Sequence, residues 1–112
     1  MDAIVHRTGD GERHSAGSSE ILIKATGENT GGTFFLSEST LEPGFPGPPP
    51  HHHEQLVDMF YVLEGVLIVR LGDQTHELGA GSFVCVPPGV VHTFSNTSES
   101  PVRFLNSNIV GA

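Results

Sequence analysis

Residues 58–72, DMFYVLEGVLIVRLG, decide the fold class. On an extended chain Asp58, Phe60 and Val62 share one face and Met59, Tyr61 and Leu63 the other. The residues are mostly β-branched, aromatic or leucine, and Glu64-Gly65 cuts the run into two strands at a turn. No stretch of the chain holds a helical period for ten residues. Working outward, similar short runs recur between glycine and proline punctuation: EILIKA from residue 20, GTFFLSEST from 32, QTHEL from 74, SFVCVP from 82, VVHTFSN from 90 and VRFLNSN from 102. With the two strands of the central segment they make eight strand candidates, an all-β sandwich or barrel. Gly72-Asp73 and Gly79-Ala80-Gly81 supply further tight turns, so successive strands are expected to pair as antiparallel hairpins.

The chain has 112 residues, enough for one domain and one core. Residues 1–19 mix glycine, serine and charge without periodicity and are expected to form a flexible N-terminal arm, with the barrel domain over 20–112. The formal net charge of −8 has the wrong sign for tracking a phosphate backbone, so nucleic acid is excluded as a partner. No run of eighteen apolar residues and no leader pattern is present in the sequence, which reads as a soluble, cytoplasmic protein with no membrane partner. A single cysteine, Cys85, allows no intrachain disulfide and is expected to be a buried strand thiol.

The chemistry concentrates in PPPHHHEQLVD, residues 48–58. PGFPGPPP, residues 43–50, has proline at five of eight positions and cannot donate to a ladder there, so it delivers the chain stiffly into the histidines. His51 and His53 share a face of an extended chain while His52 points away. Asp58 opens the following strand on the face of Phe60 and Val62. His92, after the Pro87-Pro88-Gly89 turn, shares its face with Phe94. An isolated histidine is most often a surface group. Three at ligand spacing with one carboxylate instead read as a metal site. His51, His53, Asp58 and His92 form a mixed nitrogen and oxygen set suited to one divalent transition metal per chain: Fe, Mn, Ni, Co or Zn. His6, His14 and His76 lack a partner at ligand spacing and read as surface residues. Phe60, Val62, Leu67, Val69, Phe83 and Phe94 read as core, and Asn96 as a residue that satisfies backbone groups.

The segment His51-x-His53-x4-Asp58-x6-Gly65 resembles the first cupin motif. Gly81-x5-Pro87-x-Gly89-x2-His92-x3-Asn96 fits the second at every position, and fifteen residues separate Gly65 from Gly81. The likeness covers about residues 40–108 and is greatest to single-domain, quercetin dioxygenase-like cupins. It implies a double-stranded β-helix, the jelly-roll or cupin barrel, and a homodimer paired through its N-terminal strands, here EILIKA and GTFFLSEST. It further implies a metal-dependent dioxygenase acting on a small aromatic or enolisable substrate, with the carboxylate at Asp58 as both ligand and catalytic base. A non-oxidative cyclase or isomerase of the polyketide cyclase type, and a non-catalytic binding protein, are the alternatives. The departure is Asp58 itself, where the family usually has glutamate. Aspartate reaches about 1.5 Å less, far beyond the roughly 0.2 Å tolerance of a coordination bond. The backbone can shift to bring Asp58 into the shell, a water can bridge it, or it can act only as a nearby base.

Overall fold

A computed structural model describes residues 1–110. Nine strands are present: β1 (Glu12–Ala16), β2 (Ser19–Ala25), β3 (Phe34–Leu41), β4 (Leu56–Glu64), β5 (Leu67–Leu71), β6 (Gln74–Leu78), β7 (Phe83–Val86), β8 (His92–Ser95) and β9 (Val102–Val110), with no helix among the described residues. They form two antiparallel sheets, a six-stranded one ordered β1-β2-β3-β9-β4-β7 and a three-stranded one ordered β6-β5-β8. This is the single-domain jelly roll expected of the sequence.

Between the sheets lies a core of Leu41, Phe60, Val62, Val86, Val102 and Phe104 from the large sheet and Leu67 and Val69 from the small one. The alternation on β4 is kept: Asp58, Phe60 and Val62 are buried, whereas Tyr61 is 44% exposed. Register carries that face onto β9, where Asp58 pairs with Asn108, Phe60 with Asn106 and Val62 with Phe104. Paired residues in adjacent strands point the same way. The inner surface therefore changes along the barrel from apolar at Val62 and Phe104 to polar at Asp58, Asn106 and Asn108.

Three expectations are corrected. Residues 12–16, placed in the flexible arm, form β1, a fully exposed strand paired with β2 from Glu12 opposite Ile23 to Ala16 opposite Ser19. Its sequence, ERHSA, shows no apolar alternation because both faces meet water, and its hydrogen bonds to β2 are what order it. The turns at Glu64-Gly65 and Gly79-Ala80-Gly81 do not close hairpins. At each, the chain leaves one sheet for the other, and of the three turns expected to close hairpins the one at Gly72-Asp73 joins paired strands, β5 to β6. Gly65 has φ +80°, and a Cβ there would lie 2.5 Å from the Pro101 carbonyl oxygen, so this crossing needs glycine. Cys85 and Phe83 face outward on β7: Cys85 is exposed and Phe83 is 58% exposed, while Val84 and Val86 take the inner face. On the same outer surface Phe83 pairs with Tyr61 and Cys85 with Met59.

Candidate metal centre

The proline segment reaches β8 by backbone contacts that fix where the histidines fall. The Asn96 amide donates to the Phe45 carbonyl (2.9 Å), and the Thr93 hydroxyl to the Pro48 carbonyl (2.6 Å). Gly47, at φ +90°, runs so close to β8 that a Cβ would meet the Phe94 carbonyl oxygen at 2.1 Å. Beyond the prolines, His51 and His92 exchange both backbone hydrogen bonds, at 2.9 and 2.7 Å, and the Gly89 amide donates to the His53 carbonyl at 2.7 Å. Segments some forty positions apart are thus joined at the histidines themselves. The His51 and His92 rings lie 4.5 Å apart between centroids, and His53 lies 5.2 and 5.7 Å from them.

His51, His53, Asp58 and His92 each offer one ligand atom, all within 4.8 Å of one another. His92 and Asp58 are buried, His51 and His53 half-buried. Backbone carbonyls orient two of the rings. The His92 Nδ1–H donates to the Val90 carbonyl (2.9 Å) and the His51 Nδ1–H to that of Pro49 (3.2 Å). In the neutral imidazole this leaves each Nε2 with a lone pair, the arrangement that metal-bound histidines adopt. His92 Nε2 lies 2.8 Å from Asp58 Oδ2, and His53 Nε2 lies 3.6 Å from the same oxygen. Adjacent donors about 2.1 Å from one cation lie roughly 3.0 Å apart in octahedral and 3.4 Å apart in tetrahedral arrangement, so both spacings fit a shared ion. A buried carboxylate also needs a positive partner. Among the described residues the ion-pair contacts of Asp58 are His53 and His92, with no lysine or arginine. A divalent cation therefore fits this donor set in charge as well as spacing.

The other oxygen of Asp58 is held by two residues that the sequence reading passed over. Asn106 Nδ2 and Asn108 Nδ2, both from β9, donate to Oδ1 at 2.7 Å each. Asn106 also donates to the Met59 carbonyl at 3.0 Å. Their signal in the sequence is the NSN run: two asparagines two positions apart, on the inward face that Val102 and Phe104 make apolar farther along the strand. Beneath the cluster, Phe60 meets the His92 ring edge-on at 6.2 Å and packs at a tilt against Phe94 and Phe104. His6, His14 and His52 are exposed, His76 is half-buried on β6, and none of them joins the cluster. Asn96 is buried, and its side chain ties the end of β3 to the loop after β8, donating to the carbonyls of Leu41, Glu42 and Ser100 and accepting from Ser98.

Asn108 also borders a cavity of about 400 Å³ lined by Phe34, Phe35, Leu56, Ile109 and Val110 together with the Gly27 to Thr33 loop. Its wall is predominantly apolar, and the amide of Asn108 joins it to the carboxylate of the cluster.

Residues 37–108 match the family described as Cupin domain. Over 95 residues, 80% of this chain, the sequence is 32% identical to quercetin 2,3-dioxygenase of Bacillus subtilis (strain 168); the chain spans only 26% of that protein's length. The structure is similar to that of the polyketide cyclase RemF from Streptomyces resistomycificus, with a TM-score of 0.79 at 29% identity over 97% of this chain and 80% of the other. A predicted oxalate decarboxylase from Thermotoga maritima superposes with a TM-score of 0.83 over 96% of this chain and 99% of that one. At 21% identity that likeness bears on the fold alone.

Proposed function

The chain belongs to the cupin family, and from that premise we propose that it is a dioxygenase with one divalent transition metal per chain, held by His51, His53, Asp58 and His92. The substrate is a small aromatic or enolisable molecule, and dioxygen is the second substrate. The observation that carries this reading is the convergence of three imidazoles and one carboxylate within 4.8 Å. The identity to a quercetin 2,3-dioxygenase supports it.

When bound, the metal supplies Lewis acidity, which acidifies a coordinated enol or phenol. The remaining work falls to the chain. Phe34, Phe35 and Leu56 bury the apolar body of the substrate and exclude water around it. Asp58 contributes the anionic oxygen Oδ2, the carboxylate atom that faces the imidazoles and the one placed to take a proton from a substrate hydroxyl. Val90 and Pro49 hold the His92 and His51 rings in register through their carbonyls.

The test is to strip the protein with a chelator, reload it with each of Fe(II), Mn(II), Ni(II), Co(II) and Zn(II), and supply flavonols and simpler enolisable phenols. Oxygen uptake matched to substrate loss, absent in the stripped protein, is the expected result. The likeness to a polyketide cyclase favours a second reading, metal-assisted ring closure of a polycarbonyl substrate, which would proceed equally without oxygen. Tight substrate binding without product in metal-loaded protein would point instead to a binding function.

A further inference from the structure

We infer that Asn106 and Asn108 are positioning residues for the metal: by taking up Oδ1 of Asp58 they turn Oδ2 alone toward the histidines, and this fixes the short aspartate side chain as a one-oxygen ligand. The inference rests on the metal site proposed above. Both amides reach the same oxygen at 2.7 Å, from the same strand, at positions paired with Asp58 and Phe60. Oδ2, by contrast, meets His92 Nε2 at 2.8 Å and His53 Nε2 at 3.6 Å among the described residues. An untethered carboxylate can turn about its last bond and offer a cation either oxygen or both. Two converging N–H donors remove that freedom, since turning would break both bonds. The arrangement also answers the lost methylene. Reach is supplied by register, which sets Asp58 directly across from Asn108 at the level of the histidines, and direction by the amide pair. Partners that orient a ligand in this way commonly contribute 10-fold to 100-fold in metal affinity.

Asn108 is the cleaner probe, because among the described residues its side-chain amide donates to Asp58 alone, whereas Asn106 also ties down the Met59 carbonyl. Leucine matches asparagine in shape and cannot donate. Stripped wild-type protein, Asn108→Leu, Asp58→Ala and the double variant would each be titrated with Co(II). Affinity would be read by calorimetry, and the coordination sphere by the visible absorption of the ion. We expect Asn108→Leu to bind Co(II) 10-fold to 100-fold more weakly than wild type, with an altered absorption band. In the Asp58→Ala background the same change should have no further effect on affinity. Should the leucine fail to fold, Asn108→Ala removes the amide without adding bulk and carries the same expectation. Wild-type affinity and spectrum in a folded Asn108 variant, or an equal loss in the Asp58→Ala background, would overturn the inference while leaving the metal site standing. Failure of wild-type protein to bind Co(II), or wild-type affinity in Asp58→Ala, would overturn the proposed site and this inference together.

Discussion

His92 joins more of the site than any other residue: its backbone is bridged to His51, its Nδ1 to Val90, its Nε2 faces Asp58, and its ring rests on Phe60. His92→Ala should therefore abolish stoichiometric metal uptake, as measured by elemental analysis of protein dialysed against metal. Asp58→Glu makes a sharper test. Restoring the residue that the cupin motif usually carries would, on length alone, improve coordination. Here Asn106 and Asn108 already hold Oδ1 at 2.7 Å each, and an extra methylene would displace the carboxylate from both donors. Asp58→Glu is expected to weaken Co(II) binding several-fold, whereas tighter binding would show that reach was limiting. At this scale the four residues that come together are legible because histidine spacing and the carboxylate's place on β4 are properties of the sequence. The asparagines are not, because their importance comes from cross-strand register, which nothing in NSN itself reveals.

At the scale of elements, strands were easier to read than their pairing. Alternation and punctuation locate β2 to β9, but a turn residue encodes a reversal of the chain and not the sheet that the next strand will join. Gly65 and the Gly79-to-Gly81 turn therefore look like hairpins in the sequence and are crossings in the structure. The same ambiguity hid the parity of β7: in FVCV every residue is apolar, so the sequence could not say that Phe83 and Cys85 turn outward. The crossing at Gly65 predicts its own sensitivity. Gly65→Ala puts a side chain at positive φ against the Pro101 carbonyl and should cost about 2 kcal/mol or more in urea unfolding. Asn96 does similar work where β8 leaves the small sheet, and Asn96→Ala strands buried carbonyls of the β3 end, at an expected cost of about 2–3 kcal/mol. Neither residue belongs to the cluster of His51, His53, Asp58 and His92, so metal uptake by the folded fraction should match that of wild type.

For the molecule as a whole, the jelly roll has a division of labour along its inner surface. Apolar packing at Val62, Val102 and Phe104 against the small sheet holds the sheets together, and the polar end of the same face carries Asp58, Asn106 and Asn108, the last of which borders the cavity. The outer surface keeps Tyr61 and Phe83 side by side in water, and Ile21 on β2 is 38% exposed. We expect a homodimer to cover part of this apolar area; sedimentation equilibrium should return twice the 11.9 kDa of the chain. The central claim is narrower than the oligomer or the reaction: His51, His53, Asp58 and His92 grip one cation. Anomalous diffraction from a crystal soaked in Co(II), collected on both sides of the cobalt edge, tests it directly. The account predicts one peak per chain within bonding distance of the three imidazoles, with Oδ2 of Asp58 as the fourth protein ligand and Oδ1 still on the two asparagines. Density with residue 92 turned away, or with the cobalt bound elsewhere and none among these four side chains, would contradict it.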